Sequence, residues 1–167
     1  MDGIRNGRTL KGAFVAVTSL FFMWGFITVL VDALIPRLKE VFELTFLQAG
    51  LVQFAWFAAY GLLSIPGGNL ISKIGYQRGI LVGLATAGVG CLLFYPAATT
   101  RLYPLFLLAL FVVAGGITIL QVAANPYISV LGPEQSASAR LNLSQAFNSF
   151  GTTLAPVVAL SLIHISE

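Results

Sequence analysis

The sequence predicts an all-α membrane protein, because its residues are strongly hydrophobic, its charges are few and its apolar residues fall into long runs. Of its 167 residues, 57% are hydrophobic and 9% are charged, whereas a soluble domain carries about 25% charged residues. Such a chain cannot cover a water-facing surface with polar groups, so it needs lipid as its solvent. Helix is the expected state of each run, because in lipid every backbone polar group needs a partner within the segment.

Five apolar runs are long enough to cross a bilayer, since a spanning helix needs about 20 mostly apolar residues. We predict helices at about 13–34, 47–71, 79–97, 103–130 and 141–165. Pro36, Pro96 and Pro104 are expected at helix boundaries, where a missing amide donor costs least. No linker, low-complexity tract or soluble domain interrupts the runs, so residues 1–167 are expected to form part of one transmembrane domain.

Basic residues in the connecting segments predict the orientation of the chain. Six of them precede helix one or connect helices two to three and four to five: Arg5, Arg8, Lys11, Lys73, Arg78 and Arg140. The other side carries three, Arg37, Lys39 and Arg101, and Glu40 and Glu43 accompany the first two. The positive-inside rule therefore predicts a cytoplasmic amino terminus in a multi-pass protein of the plasma membrane.

Asp32 is the one acidic residue within the predicted helices. A carboxylate inside a membrane segment is costly unless it faces protein or water. Asp32 lies one helical turn from Thr28 and two from Gly25, so all three share a face. One interpretation is an acid that carries a proton or senses a cation in a cavity. The other is a charge at the helix end, hydrated among the headgroups, and the proximity of Pro36 leaves both open.

Helix four carries a stripe of polar residues. Thr118, Gln121, Asn125 and Ser129 recur at spacings of three, four and four, which places them on one face of a helix. Pro126 lies inside this helix and removes a backbone hydrogen bond. Amides offer both donors and acceptors, which suits a hydroxyl-rich ligand such as a sugar. Hydrogen bonding between helices is the alternative interpretation.

Helices two and five carry polar faces of the same kind. On helix five the face comprises Gln145, Asn148 and Thr152. On helix two it comprises Gln53, Trp56, Tyr60 and Ser64. An indole beside amides can stack on the apolar face of a sugar ring. An aromatic residue that only packs between helices is the alternative for Trp56 or Tyr60.

Helix three and the remaining residues point to packing rather than to chemistry. Gly79, Gly83 and Ala87 form a row of small residues, which predicts close approach of a neighbouring helix. Cys91 and His164 are single residues of their kind, so we expect no disulfide, zinc or haem site. The net charge of +3 comes from dispersed bases and predicts no nucleic-acid partner. Without a nucleophile–base pair or phosphate loop, we expect neither an enzyme nor a cofactor.

Three segments carry a resemblance to a known family. They are F-F-M-W-G-F at 21–26, A-A-N-P-Y-I-S-V-L-G-P-E at 123–134 and R-L-N-L-S-Q-A-F-N-S-F-G at 140–151. They resemble the fucose/galactose/glucose symporter family of the major facilitator superfamily, and the similarity extends over about 20–162. The resemblance implies a transporter of two six-helix halves with the substrate site between them. Five helices of twelve would make this chain an incomplete first half, inactive without the missing carboxy-terminal half.

The segment G-N-L-I-S-K-I-G-Y-Q-R at 68–78 resembles the superfamily motif G-x-x-x-D-R/K-x-G-R/K-R/K between helices two and three. The resemblance implies a conformational role for four residues, Gly68, Lys73, Gly75 and Arg78. Ser72 occupies the place of the acidic residue, so the charge relay of this motif is not expected here.

The family pattern also implies individual roles. Its helix-one aspartate falls on Asp32, which becomes the expected ion-coupling residue, and its helix-five amides fall on Gln145 and Asn148. The fucose branch has a glutamate where this chain has Gln121, so the glucose/galactose branch is the better match. We therefore expect Gln121, Asn125, Gln145 and Asn148 to bind the sugar from one shared cavity. Gln53, Trp56 and Tyr60 are further candidates.

The resemblance implies uptake of a monosaccharide by alternating access in a bacterial inner membrane, coupled to a proton or to sodium. Two alternatives remain. An exporter of the same fold for apolar drugs would need fewer amides than this chain carries. A non-transporting membrane subunit would use the polar faces only to bind neighbouring helices.

Overall fold

A computed structural model describes the backbone of the protein from Asp2 to Ile165. Side chains are described within that range except at positions 2–9, 34, 35, 37, 38, 41 and 162–165. Four residues named in sequence-based expectations lie outside the described side chains: Arg5, Arg8, Arg37 and His164.

The described chain folds into five α-helices. They are α1 (Asp2–Val41), α2 (Phe46–Ile74), α3 (Tyr76–Thr100), α4 (Tyr103–Val130) and α5 (Ala137–Ile165), and a 3-10 helix at Glu134–Ser136 precedes α5. Among the residues whose side chains are described, four segments are long and apolar enough to cross a membrane: Leu10–Ala33 in α1 and the whole of α2, α3 and α4. With α5 as a fifth long helix, the predicted all-α membrane fold is confirmed.

Two prolines lie inside helices rather than at their ends. Helix α1 continues through Pro36 to Val41, and α3 continues through Pro96 to Thr100. The expectation that both prolines mark boundaries is therefore wrong. A proline costs the helix one backbone hydrogen bond, and membrane helices tolerate this where neighbouring groups satisfy the freed carbonyl. Pro126 lies inside α4, as predicted.

The chain divides into two compact units, which are described separately. One unit, termed here the outer-segment unit, comprises Met1–Leu34 and Tyr127–Glu167. The other, the central-segment unit, comprises Ile35–Pro126. The division falls inside α1 and inside α4, so each of these helices contributes to both units.

In the central-segment unit, α3 and α4 pack at backbone distance. A Cβ added to Gly83 would lie 2.7 Å from the backbone nitrogen of Leu120, and one added to Gly90 would lie 2.6 Å from that of Val113. A Cβ at Gly79 would lie 3.2 Å from the Cβ of Ala123. The predicted close packing along the small-residue face of helix three is confirmed, because a larger side chain would not fit there.

In the outer-segment unit, α1 and α5 pack equally closely. A Cβ added to Gly25 would collide with the backbone carbonyl of Asn148. Farther towards the amino terminus, the buried hydroxyls of Thr18 and Ser144 share a hydrogen bond of 3.2 Å. Small residues and a buried polar pair thus hold these two helices together, as is common where lipid provides no hydrophobic drive for helix association.

Large apolar side chains are exposed on all five helices. Phe46 on α2 is 87% exposed and Tyr95 on α3 is 78% exposed, and Val15, Leu108 and Val157 are examples on the other helices. A surface so rich in apolar side chains marks contact with lipid or with further protein.

Candidate functional site

Gln121 and Tyr60 are brought together in the central-segment unit. The side-chain nitrogen Nε2 of Gln121 on α4 donates a hydrogen bond of 2.7 Å to the hydroxyl of Tyr60 on α2. Both side chains are half-buried. Among the described residues, the Gln121 oxygen Oε1 accepts no hydrogen bond, so this amide keeps an acceptor in a largely apolar segment. Two of the sequence-predicted residues therefore form one polar group across two helices.

The aromatic part of the α2 face is buried. The Trp56 side chain is 5% exposed, and its ring centroid lies 6.3 Å from that of Tyr60 in a tilted arrangement. Little of the indole is open to stack on a sugar ring in this structure. Its role as a stacking platform stays a prediction for a state in which the ring is uncovered. Gln53, one turn earlier on the same helix, is half-buried.

The residues of the polar stripe on α4 differ in how their side chains are bonded. Thr118 is 2% exposed, and its hydroxyl donates to the Ala114 carbonyl in its own helix at 2.7 Å. The Thr118 hydroxyl therefore already has its hydrogen-bond acceptor within α4. Asn125 lies one turn beyond Gln121 and is half-buried. The two amides, rather than the whole stripe, are the part of α4 suited to a ligand.

Asn148 and Gln145 belong to the outer-segment unit and differ in surroundings. The Asn148 nitrogen Nδ2 donates to the carbonyl oxygen of Phe21 on α1 at 2.9 Å, which makes it a bridge between α1 and α5. Its Oδ1 accepts no hydrogen bond from the described residues. Gln145 is exposed, and no described residue bonds to its amide. Both residues therefore retain amide atoms for a further partner.

Asp32 is exposed and lies in α1, within the membrane span Leu10–Ala33. Thr28, one turn earlier, donates its hydroxyl to the Trp24 carbonyl of the same helix at 2.9 Å. Asp32 has an interaction partner of its own in this structure. The described residues contain no group of three or more His, Cys, Asp or Glu side chains that could hold a metal ion.

The motif at 68–78 is mostly helical, with one position outside the helices. Gly68 lies in α2, Lys73 in its last turn and Arg78 in the first turn of α3. Gly75 alone connects the two helices, with φ 83° and ψ 164°. The hydroxyl of Ser72 donates to the Asn69 carbonyl at 2.8 Å, a local bond within α2.

A pocket of about 400 Å³ adjoins this motif in the central-segment unit. Gly68, Ser72 and Gly75 line it from the α2 side, and Val122 and Pro126 line it from α4. Val122 and Pro126 each adjoin a candidate amide in the α4 sequence, Gln121 and Asn125, but the two amide residues do not line this pocket.

Counting charges identifies Arg140 only as a base between two helices, but the structure shows a further role. Its guanidinium donates to three backbone carbonyls, those of Ile128, Ser129 and Pro133, at 3.1, 2.7 and 3.0 Å. It also donates to the Ser136 hydroxyl at 2.6 Å. The last carbonyls of a helix lack partners within it, and Arg140 bonds to two of those at the end of α4, Ile128 and Ser129.

The chain matches a family model and several known transporters. Residues 12–166 match the Major Facilitator Superfamily model. A glucose/galactose transporter of Brucella abortus is 58% identical over 90% of this chain and 37% of its own length. An L-fucose-proton symporter of Escherichia coli is 47% identical over 90% of this chain and 34% of its own length. These relatives confirm the expected resemblance to the fucose/galactose/glucose symporters.

The solved structures agree with the sequence relatives. The crystal structure of the transporter FucP in the outward conformation superposes with a TM-score of 0.78 at 46% identity. The superposition covers 90% of this chain and 36% of FucP, so the chain spans little more than a third of the relatives it matches. The relatives are transporters and not enzymes. With the family model matched over nearly all of its length, this multi-pass membrane chain belongs to the Major Facilitator Superfamily.

Proposed function

We propose that this chain is part of a transporter that takes up a monosaccharide with a coupled ion by alternating access. The names of the relatives support a sugar substrate, because they are glucose/galactose transporters and an L-fucose-proton symporter. The glucose/galactose relative has the higher identity, 58% against 47%. Gln121, which stands where the fucose branch has a glutamate, points to the same branch. The bacterial relatives support a location in the inner membrane.

The observation that carries the proposal is the polar pair of Gln121 and Tyr60. An amide and a phenol joined across two membrane helices form an oriented group with an acceptor to spare. A sugar hydroxyl can donate to the Gln121 oxygen and accept from a neighbouring donor at the same time. An exporter of apolar drugs would leave such a group without a matching partner, which is unfavourable in a dry site.

We propose that Asn125, Gln145 and Asn148 complete the sugar contacts. Gln145 is exposed, and Asn148 keeps its Oδ1 while Nδ2 bonds to the Phe21 carbonyl. An amide fixed by one helix contact presents its other atom in a defined direction, which lowers the entropy lost on binding. We propose Gln53, Trp56 and Tyr60 as further sugar contacts, with Trp56 acting in a state in which its ring is uncovered.

Sugar binding to the full-length protein tests this proposal. Asn148→Ala should weaken binding roughly 2- to 10-fold, because a ligand hydrogen bond contributes about 0.5–1.5 kcal/mol. Asn142→Ala is the matched control, since Asn142 is an exposed asparagine of the same helix. Titration calorimetry with glucose, galactose and fucose would measure both variants and identify the sugar. Equal affinities for wild type and Asn148→Ala would remove Asn148 from the site.

We propose that Asp32 carries the coupling ion and that this ion is a proton. Uphill transport needs a group whose charge changes between the two faces of the transport cycle, and Gln121 cannot titrate. Asp32 is the acid within the described membrane spans. In Asp32→Asn, concentrative uptake should be lost while sugar exchange down a gradient survives. Both assays belong on the same vesicles, because a misfolded variant would lose both.

Sodium is the alternative coupling ion, because a carboxylate with neighbouring carbonyls can also bind it. Replacing sodium by choline at a fixed pH gradient separates the two. Unchanged uptake supports the proton, and lost uptake supports sodium. Accumulation of sugar by Asp32→Asn against its gradient would show that Asp32 is not the coupling group for either ion.

A non-transporting membrane subunit is the second candidate function. The bond between Asn148 and Phe21 favours it, because that bond is what amides used only to join helices would make. Vesicles with the full-length protein decide the matter. Sugar uptake supports the transporter, extrusion of apolar drugs supports an exporter, and neither activity supports the subunit.

A further inference from the structure

A second pocket lies in the outer-segment unit, apart from the candidate sugar residues. Its volume is about 500 Å³. The beginning of α1 forms one wall with Leu10, Lys11, Phe14 and Val15. The connection between α4 and α5 forms the other, and Arg140 lies on that side. Apolar carbon thus forms most of the wall, with two cationic side chains at the pocket.

The position of this pocket across the membrane follows from the ends of the two apolar segments that border it. The α1 wall lies at the beginning of the apolar run that starts at about residue 13, and Val130 is the last residue of the span in α4. Residues 131–140 continue directly from that end. The pocket therefore lies where hydrocarbon meets headgroups, with one part facing acyl chains and the other facing phosphates. This assignment does not depend on which face of the membrane is cytoplasmic.

The charge of the pocket is positive. Lys11 is exposed, and its ammonium group can turn towards a ligand. Arg140 binds the carbonyls of Ile128, Ser129 and Pro133 but keeps its full positive charge. Among the described residues that line the pocket, none is acidic. Glu134, on the 3-10 helix, is not one of the lining residues.

We propose that this pocket binds an anionic phospholipid. Its phosphate would lie beside Lys11 and Arg140, and an acyl chain would lie along Leu10, Phe14 and Val15. Basic pockets beside membrane helices bind anionic headgroups through charge, and each lysine or arginine near the surface adds to the attraction. The apolar wall favours a lipid over a free phosphate ion, because a soluble anion would leave that wall uncovered. The proposal goes beyond sugar transport and stands without it.

Native mass spectrometry of the full-length protein in detergent tests the proposal. Dioleoyl phosphatidylglycerol and dioleoyl phosphatidylcholine, which share their acyl chains, are added at equal concentration. We expect preferential retention of phosphatidylglycerol. Lys11→Gln should reduce that preference about fivefold, because this is the change in affinity for an anionic lipid expected when one surface lysine is lost. Lys73→Gln, which removes the same charge from the end of α2 in the other unit, should leave it unchanged.

Two further measurements distinguish a lipid site from a disturbed helix and from a site for free phosphate. Lys11→Arg keeps the charge and should keep the preference, which distinguishes a lost charge from a disturbed helix. An excess of glycerol phosphate should not displace the lipid, and displacement would identify a site for free phosphate instead. Equal retention of both lipids would overturn the proposal. Equal losses in Lys11→Gln and Lys73→Gln would also overturn it, because they would reflect general surface charge.

Discussion

An amide of this chain can join two helices and still keep an atom for another partner. Asn148 was placed on a ligand-binding face by periodicity and resemblance, with helix–helix bonding as the alternative. In the structure its Nδ2 donates a hydrogen bond to the Phe21 carbonyl, and its Oδ1 accepts none from the described residues. Periodicity predicts which face a residue occupies but not which of its atoms meets the neighbouring helix. That assignment depends on the rotamer and on where α1 passes α5.

Arg140 shows the same limit for a charged residue. Its place between two apolar runs predicts a base at the membrane surface, and the structure adds carbonyl partners at Ile128 and Ser129 in the last turn of α4 and at Pro133 beyond it. Charge counting treats all such bases as equivalent. The difference arises from the short turn between α4 and α5, which brings residue 140 back beside residues 128 and 129. Only the geometry of that turn distinguishes a capping arginine from a solvated one.

Gly25 is expected to be essential for the packing of α1 on α5. In Gly25→Ala the added methyl would collide with the Asn148 carbonyl, which is backbone and cannot swing away. Overpacking of this kind costs about 1–3 kcal/mol. The thermal unfolding midpoint of the full-length protein should fall for Gly25→Ala and not for Gly12→Ala, because a Cβ at Gly12 meets nothing within 4 Å. Equal midpoints for the two variants would contradict the close contact.

The hydroxyl of Tyr60 is expected to hold Gln121 in place. Tyr60→Phe removes the acceptor of the Gln121 N–H and should lower the free energy of unfolding by about 0.5–1.5 kcal/mol. Sugar affinity should fall with it, since the amide would lose its fixed direction. Tyr95→Phe is the control, because that side chain is 78% exposed. Chemical denaturation measures the first effect and sugar titration the second. If Tyr60→Phe matched the control in both stability and sugar affinity, the bond between Gln121 and Tyr60 would have neither role.

At the scale of the helices, apolar length and small-residue spacing predict more than proline positions do. Gly79 and Gly83 predict the close approach of a neighbouring helix to α3, because only small residues allow it, and the structure shows that this neighbour is α4. The extension of α1 through Pro36 was not foreseen. A proline removes one backbone hydrogen bond and can bend a helix without ending it. Beyond Pro36 the chain has good helix formers such as Lys39 and Glu40, so the helix continues.

The connection between α2 and α3 depends on one residue. Gly75 has φ 83° and ψ 164°, a region that side chains with a Cβ rarely adopt, and a Cβ there would meet no neighbour. Gly75→Ala should therefore destabilise the protein through the backbone alone, by about 1–3 kcal/mol. Gly88→Ala is the control, since Gly88 lies inside α3 and a Cβ there also meets nothing.

Thermal unfolding and transport rate together measure the role of Gly75. If the proposed conformational role of residues 68–78 is correct, Gly75→Ala should also slow sugar exchange more than it lowers sugar affinity. A Gly75→Ala protein as stable as Gly88→Ala would mean that the α2–α3 connection does not need this conformation.

At the scale of the whole molecule, composition alone establishes the membrane class, and resemblance of three segments establishes the superfamily. The sugar site as a whole could not be established in this way. Its four amides are divided between two compact units, Gln121 and Asn125 in one and Gln145 and Asn148 in the other. The spacing of residues along one helix carries no information about the distance between separate units. The proposed shared site therefore depends on the family pattern.

Orientation in the membrane is the remaining property of the whole molecule, and basic residues predict a cytoplasmic amino terminus. Lys73 at the end of α2 and Arg101 between α3 and α4 are both exposed and lie at opposite ends of α3. In a Cys91→Ser background, which removes the one native thiol, a cysteine at Lys73 should react with an impermeant maleimide only in inside-out vesicles. A cysteine at Arg101 should react only in right-side-out vesicles. The reversed pattern would invert the orientation, and labelling of both from one side would mean that α3 does not span the membrane.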